Sequence, residues 1–202
     1  ALETLAAMLL SVVAVSLKNY AAMRTGVPLA DGPLAAADAA LGFDWHAYVA
    51  AVDASAWASN WLGIGYASFT LQLLALPVLV AMADARAQAY RFLIAYLLLV
   101  LAASAIAIGF PSAGAHIAYG VGQDELRFVD AKAAYHFYAS FQAVRGDPGF
   151  VLGADNASGI LTFPSVHAGV ALLCAWAAWP VCARRSATAP SPTPSSRRSR
   201  SR

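Results

Sequence analysis

Residues 92–110 read FLIAYLLLVLAASAIAIGF, the most apolar run in the chain, with Arg91 before it and Pro111 after it. About 20 consecutive apolar residues suffice for a helix to cross a bilayer, so this run predicts a transmembrane helix. The composition agrees, because 60% of the 202 residues are hydrophobic and 12% are charged, whereas soluble domains average about 45–50% and about 25%. The same figures exclude a disordered chain, and the count of 2 cysteines excludes a disulfide-stabilised scaffold.

Three more apolar runs are long enough to cross a bilayer. Residues 61–83 contain no charge and follow Trp57, and indole rings favour the membrane interface. Residues 2–22 and 159–182 are apolar with few polar positions. A cleaved signal peptide is the alternative for 2–22, but no basic segment precedes it. The expected fold class is all-α: a polytopic helical membrane protein with about four transmembrane helices plus short surface helices.

The four runs define one helical membrane domain over residues 1–182. Its connections lie at 23–60, 84–91 and 111–158. Within the first connection, residues 34–53 predict one or two amphipathic helices on the membrane surface. Residues 183–202 contain only Arg, Ser, Pro, Thr and Ala and predict a disordered tail. This tail is either a basic segment attracted to anionic lipid or an out-of-frame translation product.

Charge differs strongly between the two sides that this topology creates. The side with the long loops holds five basic residues against nine acids, and the other side holds eight arginines against two acids. The basic residues of the first side are Lys18, Arg24, Arg127, Lys132 and Arg145, and those of the second are Arg86, Arg91, Arg184, Arg185, Arg197, Arg198, Arg200 and Arg202. Because basic residues concentrate on the cytoplasmic side, we expect the long loops to face outward from a bacterial inner (plasma) membrane.

The segment with the clearest chemistry is GILTFPSVHAG, residues 159–169. Pro164 suits the first turn of a helix and Thr162 is a good cap, so a membrane helix is predicted to begin here. The free N–H groups of a helix N-terminus suit a phosphate. The imidazole of His167 has an ordinary pKa of about 6.5, which suits a general acid near neutral pH. The alternative is that His167 only hydrogen-bonds a neighbouring helix.

Residues 163–167, Phe-Pro-Ser-Val-His, resemble the second signature motif (Pro-Ser-x-His) of the type 2 phosphatidic acid phosphatase superfamily. They are most similar to the branch that contains inositolphosphotransferases and inositol phosphorylceramide synthases. Further segments resemble this branch in the family's order: PLAD at 28–31, ADAALGFDW at 37–45, GYAS at 65–68, FPSAG at 110–114 and VRG at 144–146.

The resemblance implies a helical membrane enzyme that handles phosphate esters through a phosphohistidine intermediate, at an outward-facing site. His167 then protonates the leaving group and Ser165 helps to hold the phosphate. Arg145 is the expected basic partner of the phosphate, with Lys132 and Arg127 as further candidates. The alternative for Arg145 is an ordinary loop arginine beside Asp147. The expected partners are a lipid or lipid-phosphate substrate and the bilayer, with no nucleic acid, no cofactor and no metal.

The chain departs from the family after His167. The family's nucleophile is a histidine of a third motif, oriented by an aspartate, but no histidine and no acid follows His167 in this sequence. We therefore expect this chain to be inactive in hydrolysis and transfer, as if truncated or frameshifted before that motif. The alternatives are a catalytically silent membrane protein that binds lipid headgroups or a partner, and a small transporter-like protein with His167 and Gln72 facing a pathway.

Other polar residues in the spans and loops predict structural roles. His46, His116 and His136 lack the spacing and the cysteine partners of a zinc site. Cys174 fits a small buried hydrophobe. Gln72, in the second apolar run, predicts a hydrogen bond between helices.

Overall fold

The computed structural model describes residues 2–83, 85–153 and 159–187, and the regular elements in these ranges are helical. The expected all-α class is therefore confirmed. The helices are α1 (Leu2–Met23), α2 (Asp31–Ala40), α3 (Trp45–Asp53), α4 (Ala56–Ala67), α5 (Phe69–Met82), α6 (Arg86–Gly109), α7 (Ala115–Ala118), α8 (Lys132–Gly146) and α9 (Val166–Ala187), with a 3-10 turn at Gln123–Glu125.

Helices α1, α5, α6 and α9 form a bundle around α6. Helix α6 packs against the other three, and α5 also contacts α1 and α9. At the centre, Phe92 and Val100 of α6 are fully buried against Leu73 of α5 and Val170 and Cys174 of α9. The apolar runs of the sequence thus supply the core of the bundle, and Cys174 is buried in it as expected.

The four bundle helices alternate in direction, so the ends of α1 and α6 meet the starts of α5 and α9. Met23 near the end of α1 and Ala107 near the end of α6 share a buried cluster with Val144 of α8 and Ile160, which precedes α9. We call this the loop end of the bundle, because the connections that contain α2 to α4, α7 and α8 gather there. The opposite end holds the turn between α5 and α6, where Val80 packs against Ala89.

The second apolar run is two helices rather than the single span that its composition predicts. Helices α4 and α5 meet at Ser68 with a bend of 55°. The Ser68 hydroxyl donates to the carbonyl of Gly65 at 2.8 Å, and the Gln72 amide donates to that hydroxyl at 2.6 Å. Such local side-chain bonds compete with the regular helix ladder. Gln72 therefore bonds within its own chain segment, not to another helix as predicted.

One helix in the described part of the chain, α6, is long and apolar enough to cross a membrane, and α4 with α5 make a second if the bent pair counts as one span. Residues Val166–Pro180 of α9 form a shorter apolar helix. The clear candidates are thus fewer than the four spans predicted from sequence. The second run is bent, and α9 begins at Val166 rather than at residue 159.

The short helices expected within residues 34–53 are present, and the long loop contains helices that the sequence does not predict. Residues 34–53 belong to α2 and α3, separated by a turn in which Gly42 has φ +75°, a backbone conformation that glycine adopts at little cost. The loop expected at 111–158 contains α7 and the 15-residue helix α8. Helix α9 continues to Ala187, past the boundary expected at 182, and the rest of the predicted disordered tail lies outside the described residues.

Candidate functional site

The start of α9 is built by Ser165 rather than by Thr162. The Ser165 hydroxyl accepts a hydrogen bond from the N–H of Ala168 at 3.3 Å, and its carbonyl accepts from the N–H of Gly169 at 3.2 Å. Ser165 is therefore the N-cap, and Pro164 lies before the helix instead of in its first turn. Thr162 lies three residues before this cap, and its hydroxyl donates to the carbonyl of Ser112 at 2.5 Å.

His167 lies in the first turn of α9 between two aromatic rings. Its imidazole stacks on Tyr66 with ring centroids 4.5 Å apart and planes 7° apart. The second contact is with Phe69, whose ring centroid lies 4.0 Å from that of the imidazole, with 33° between the ring planes. Tyr66 comes from α4 and Phe69 from α5, so the bend between these helices and the start of α9 meet at one half-buried imidazole.

The start of α9 presents donors that suit an anion. The N–H groups of the first helical turn have no intrahelical acceptor, and they carry the positive end of the helix dipole. The exposed Ser165 hydroxyl accepts from Ala168 and still has its own proton to donate. His167 adds an imidazole that can donate a hydrogen bond to such an anion. Ser165 and His167 are thus brought together, as the motif predicts.

Arg145 is engaged with backbone carbonyls at the end of α1. Its guanidinium donates to the carbonyl of Met23 at 3.3 Å and to that of Val27 at 2.5 Å. Arg24 makes the reciprocal contact, because its guanidinium donates to the carbonyl of Pro148 at 2.5 Å. Cations favour helix C-termini, where carbonyls lack intrahelical partners. The two arginines therefore join the C-terminal ends of α1 and α8, and phosphate binding by Arg145 stays a prediction.

The two other basic candidates lie elsewhere on the connections. Lys132 is exposed in the first turn of α8, 13 positions before Arg145, and at about 1.5 Å per residue the two lie about 20 Å apart along the helix. They cannot both contact one phosphate group while α8 is intact. The guanidinium of Arg127 lies 4.8 Å from the centroid of the Phe128 ring.

A shallow groove of about 360 Å³ lies between α3 and residues 121–128 and is lined by His46, Asp53 and Arg127 among others. The Asp53 carboxylate accepts hydrogen bonds from the N–H groups of Arg127, Phe128 and Val129. These backbone donors hold the pKa of Asp53 below its usual value. The Asp53 carboxylate therefore serves to hold residues 127–129 in place.

Asp31 is a residue of the loop end that the sequence alone did not single out as part of the site. Its Oδ1 accepts from the Ser112 hydroxyl at 2.7 Å and from the N–H of Gly114 at 3.1 Å, and its Oδ2 accepts from the N–H of Ala113 at 3.0 Å. The segments PLAD at 28–31 and FPSAG at 110–114 resemble the family, but no pattern in either one indicates this contact.

His116 lies beside this loop and is half-buried. Its Nε2 is buried with no hydrogen-bond partner among the described residues, and its ring makes an edge contact with Tyr135 at 5.1 Å. Burial lowers the pKa of His116, and the Asp31 carboxylate opposes that shift. Within the described ranges, no three His, Cys, Asp or Glu side chains are grouped so that they could hold a metal ion.

Comparison with known proteins adds one finding. Residues 32–192, most of the chain, match the family model of the PAP2 superfamily. This confirms the superfamily that the Pro-Ser-x-His motif resembles. No curated protein and no solved structure matches the chain.

Proposed function

The chain belongs to the PAP2 superfamily, and we propose that it binds phosphate esters of lipid headgroups at the start of α9, on the outward-facing loop end of a membrane-embedded bundle. The observation that carries the proposal is the position of His167. It lies in the first helical turn, two residues after the Ser165 cap, with its ring held against Tyr66 and Phe69.

Each group at the start of α9 has a distinct task in this proposal. The N–H groups of Val166 and His167 and the Ser165 hydroxyl donate to the non-bridging oxygens of the phosphate. The His167 imidazole donates a further hydrogen bond to the bound phosphate ester; only where a nucleophile is supplied would it also protonate the leaving oxygen, as the resemblance implies. Stacking against Tyr66 fixes the plane of the imidazole, so its N–H keeps one direction relative to the phosphate.

We place α1, α5, α6 and α9 in the bilayer, with α4 among the connections at the loop end. Large apolar side chains on the outside of the bundle support this placement: Leu98 of α6 is 60% exposed and Leu172 of α9 is 74% exposed. A contiguous apolar exterior is costly in water and favourable in lipid. Arg86 and Arg91 lie at the start of α6, at the end opposite to the site, and this favours a cytoplasmic location for that end.

The segments similar to inositolphosphotransferases lead us to propose a phosphoinositol-type headgroup as the ligand. Turnover is a separate step. The phosphohistidine mechanism needs a nucleophile with an oriented base, and no histidine or carboxylate follows His167 in these 202 residues. We therefore expect this chain by itself to bind phosphate esters without hydrolysing or transferring them.

Phosphate binding tests the proposal directly. The full chain in lipid nanodiscs is titrated with inorganic phosphate and, separately, with a short-chain phosphatidylinositol phosphate, with binding followed by ³¹P line broadening. Ser165→Ala and His167→Ala should each weaken binding by about tenfold, because a hydrogen bond to a charged group contributes roughly 1.5–3 kcal/mol. His136→Ala is the matched control, since it removes an exposed imidazole from α8.

Two results would contradict the proposal. Equal binding by wild type, Ser165→Ala and His167→Ala would place the anion site elsewhere. Turnover of a generic phosphomonoester that is abolished by His167→Ala would contradict the expected inactivity, and would make one of the earlier histidines the nucleophile.

A further inference from the structure

One peptide unit of the loop after α6 is held from both sides by residues that are distant in sequence. The N–H of Ala113 donates to Asp31 Oδ2 at 3.0 Å, and the carbonyl of Ser112 accepts from the Thr162 hydroxyl at 2.5 Å. These two groups belong to the same planar trans peptide, in which N–H and C=O point in opposite directions. Asp31 and Thr162 are therefore connected through the Ser112–Ala113 peptide.

Asp31 also fixes the neighbours of this peptide. The Ser112 hydroxyl and the N–H of Gly114 both donate to its Oδ1. Residues 112–114, which we call the 112–114 loop, are buried, and Gly114 has φ +109°. With three donors on one carboxylate, the orientation of the Ser112 carbonyl is set by Asp31 and not by solvent.

Thr162 links this peptide to the chain segment that leads into the site. It lies three residues before the Ser165 cap and five before His167, and a Cβ added at Gly114 would be 3.5 Å from its methyl group. A chain of hydrogen bonds through a peptide is also polarised by a charge at one end, so the Asp31 carboxylate strengthens the bond that the Thr162 hydroxyl donates.

We propose that Asp31 is a positioning residue for the start of α9: through the Ser112–Ala113 peptide and Thr162, it sets where Ser165 and His167 lie. The inference rests on the proposed phosphate site for its functional meaning, but its geometric part concerns His167 itself. Asp31 does not touch the phosphate in this arrangement.

Two substitutions break the connection at opposite ends. Asp31→Asn keeps the size of the side chain but removes its charge and one of its two acceptor oxygens. Thr162→Val leaves the Asp31 bonds to the 112–114 loop intact and removes only the hydroxyl that reaches Ser112. Because Thr162→Val spares the three bonds of Asp31, it keeps the test informative if Asp31→Asn does not fold.

Asp53 provides a matched control. Its carboxylate accepts the N–H groups of three consecutive residues, Arg127 to Val129, whereas that of Asp31 accepts two N–H groups and one hydroxyl from residues 112–114. Asp53→Asn therefore removes the same kind of loop anchor from a different loop. A general loss of stability should appear in both aspartate variants, whereas displacement of His167 should appear only after Asp31→Asn and Thr162→Val.

The readouts are the ¹³Cε1 resonance of His167 and inorganic phosphate affinity, both in nanodiscs at a temperature where every variant is folded. The chain has 4 histidines, and the His167→Gln spectrum identifies the resonance. We expect Asp31→Asn and Thr162→Val each to shift it and to weaken phosphate binding by about tenfold, with no further loss in the double variant. Asp31→Glu should restore part of the wild-type resonance, and Asp53→Asn should leave resonance and affinity unchanged.

The outcomes separate the two proposals. If the wild type binds no phosphate but the His167 resonance shifts as described, the proposed function fails and the positioning role stands. If Asp31→Asn and Thr162→Val leave the resonance at its wild-type position, or if Asp53→Asn shifts it equally, the positioning role is wrong.

Discussion

The imidazole of His167 lies nearly parallel to the phenol ring of Tyr66, with 4.5 Å between the ring centroids and 7° between the planes. The two residues are 101 positions apart in the sequence. Their contact joins the end of α4 to the start of α9. Phe69, at the start of α5, makes a second contact with the same imidazole. The ring plane of the proposed proton donor is therefore set by packing.

Removing the Tyr66 ring should release the imidazole. Tyr66→Leu is expected to lower the free energy of unfolding by about 0.5–1.5 kcal/mol, the usual contribution of an aromatic pair, and to move the His167 ¹³C and ¹H ring resonances by removing the ring current. Tyr66→Phe is the matched control and should keep the resonances near their wild-type positions. The His46 resonance, from a ring that contacts Trp45 and Tyr119, should not move. Equal His167 spectra for Tyr66→Leu and wild type would contradict the stack.

Gly114 should tolerate no side chain. Its φ of +109° is a conformation that L-residues rarely adopt, and an added Cβ would lie 3.1 Å from the His116 ring. Gly114→Ala is therefore expected to destabilise the protein by about 1–3 kcal/mol. Gly63, in helix α4, has nothing within 4 Å of an added Cβ, so Gly63→Ala should stabilise by up to about 1 kcal/mol. Thermal unfolding of both variants in the same detergent checks the contrast, and a neutral Gly114→Ala would contradict the assigned backbone.

Sequence predicted the parts of this fold that depend on long apolar runs. Composition and local motif predict the packing of Cys174 in the core, the meeting of Ser165 with His167 at one helix start, and a helix at 92–110. The structure places that helix at Arg86–Gly109, so most of the turn expected at 84–91 is helical. The bend at Ser68 was not predicted, because it depends on the bonds that Ser68 makes with Gly65 and Gln72. A single apolar run gives no sign of such a local competition.

The contacts that the sequence could not predict are those between distant positions. Asp31 and Ser112 are 81 positions apart, and Thr162 and Ser112 are 50 apart. Arg145 lies in the expected order before the motif, but its carbonyl partners at the end of α1 arise from the packing of α8 on α1. No periodicity in a single segment specifies which segment it will contact.

The stability of the protein should fall as the pH drops below about 6.5, the ordinary pKa of histidine. Burial lowers the pKa of His116 in the folded protein, with the Asp31 carboxylate opposing, so the unfolded chain takes up the proton first. Stability begins to fall near the pKa that His116 has in the unfolded chain, and the loss is complete below its pKa in the folded protein. His116→Gln should reduce this loss.

The measurement compares denaturation midpoints at roughly pH 7.5 and pH 5.5, on either side of the ordinary histidine pKa. His136→Gln, which removes an exposed imidazole from α8, is the matched control and should keep most of the wild-type loss. The groups that face His116 are Asp31 and the neutral ring of Tyr135. If His116→Gln loses as much stability as wild type, His116 is not the group responsible.

The orientation in the membrane can be tested with two cysteines at opposite ends of the bundle. Arg86 and Arg91 begin α6 at one end, whereas acids such as Asp124 lie in the connections at the other, so we expect the first end in the cytoplasm. In a background with Cys174→Ala and Cys182→Ala, a membrane-impermeant maleimide applied to intact spheroplasts should label Asp124→Cys. It should label Ala87→Cys only after permeabilisation, because both residues are exposed and only the bilayer separates the reagent from Ala87. The reverse pattern would invert the topology and place the start of α9 inside. Labelling of both cysteines from outside would show that α6 does not cross the membrane, and the embedded bundle would then be wrong.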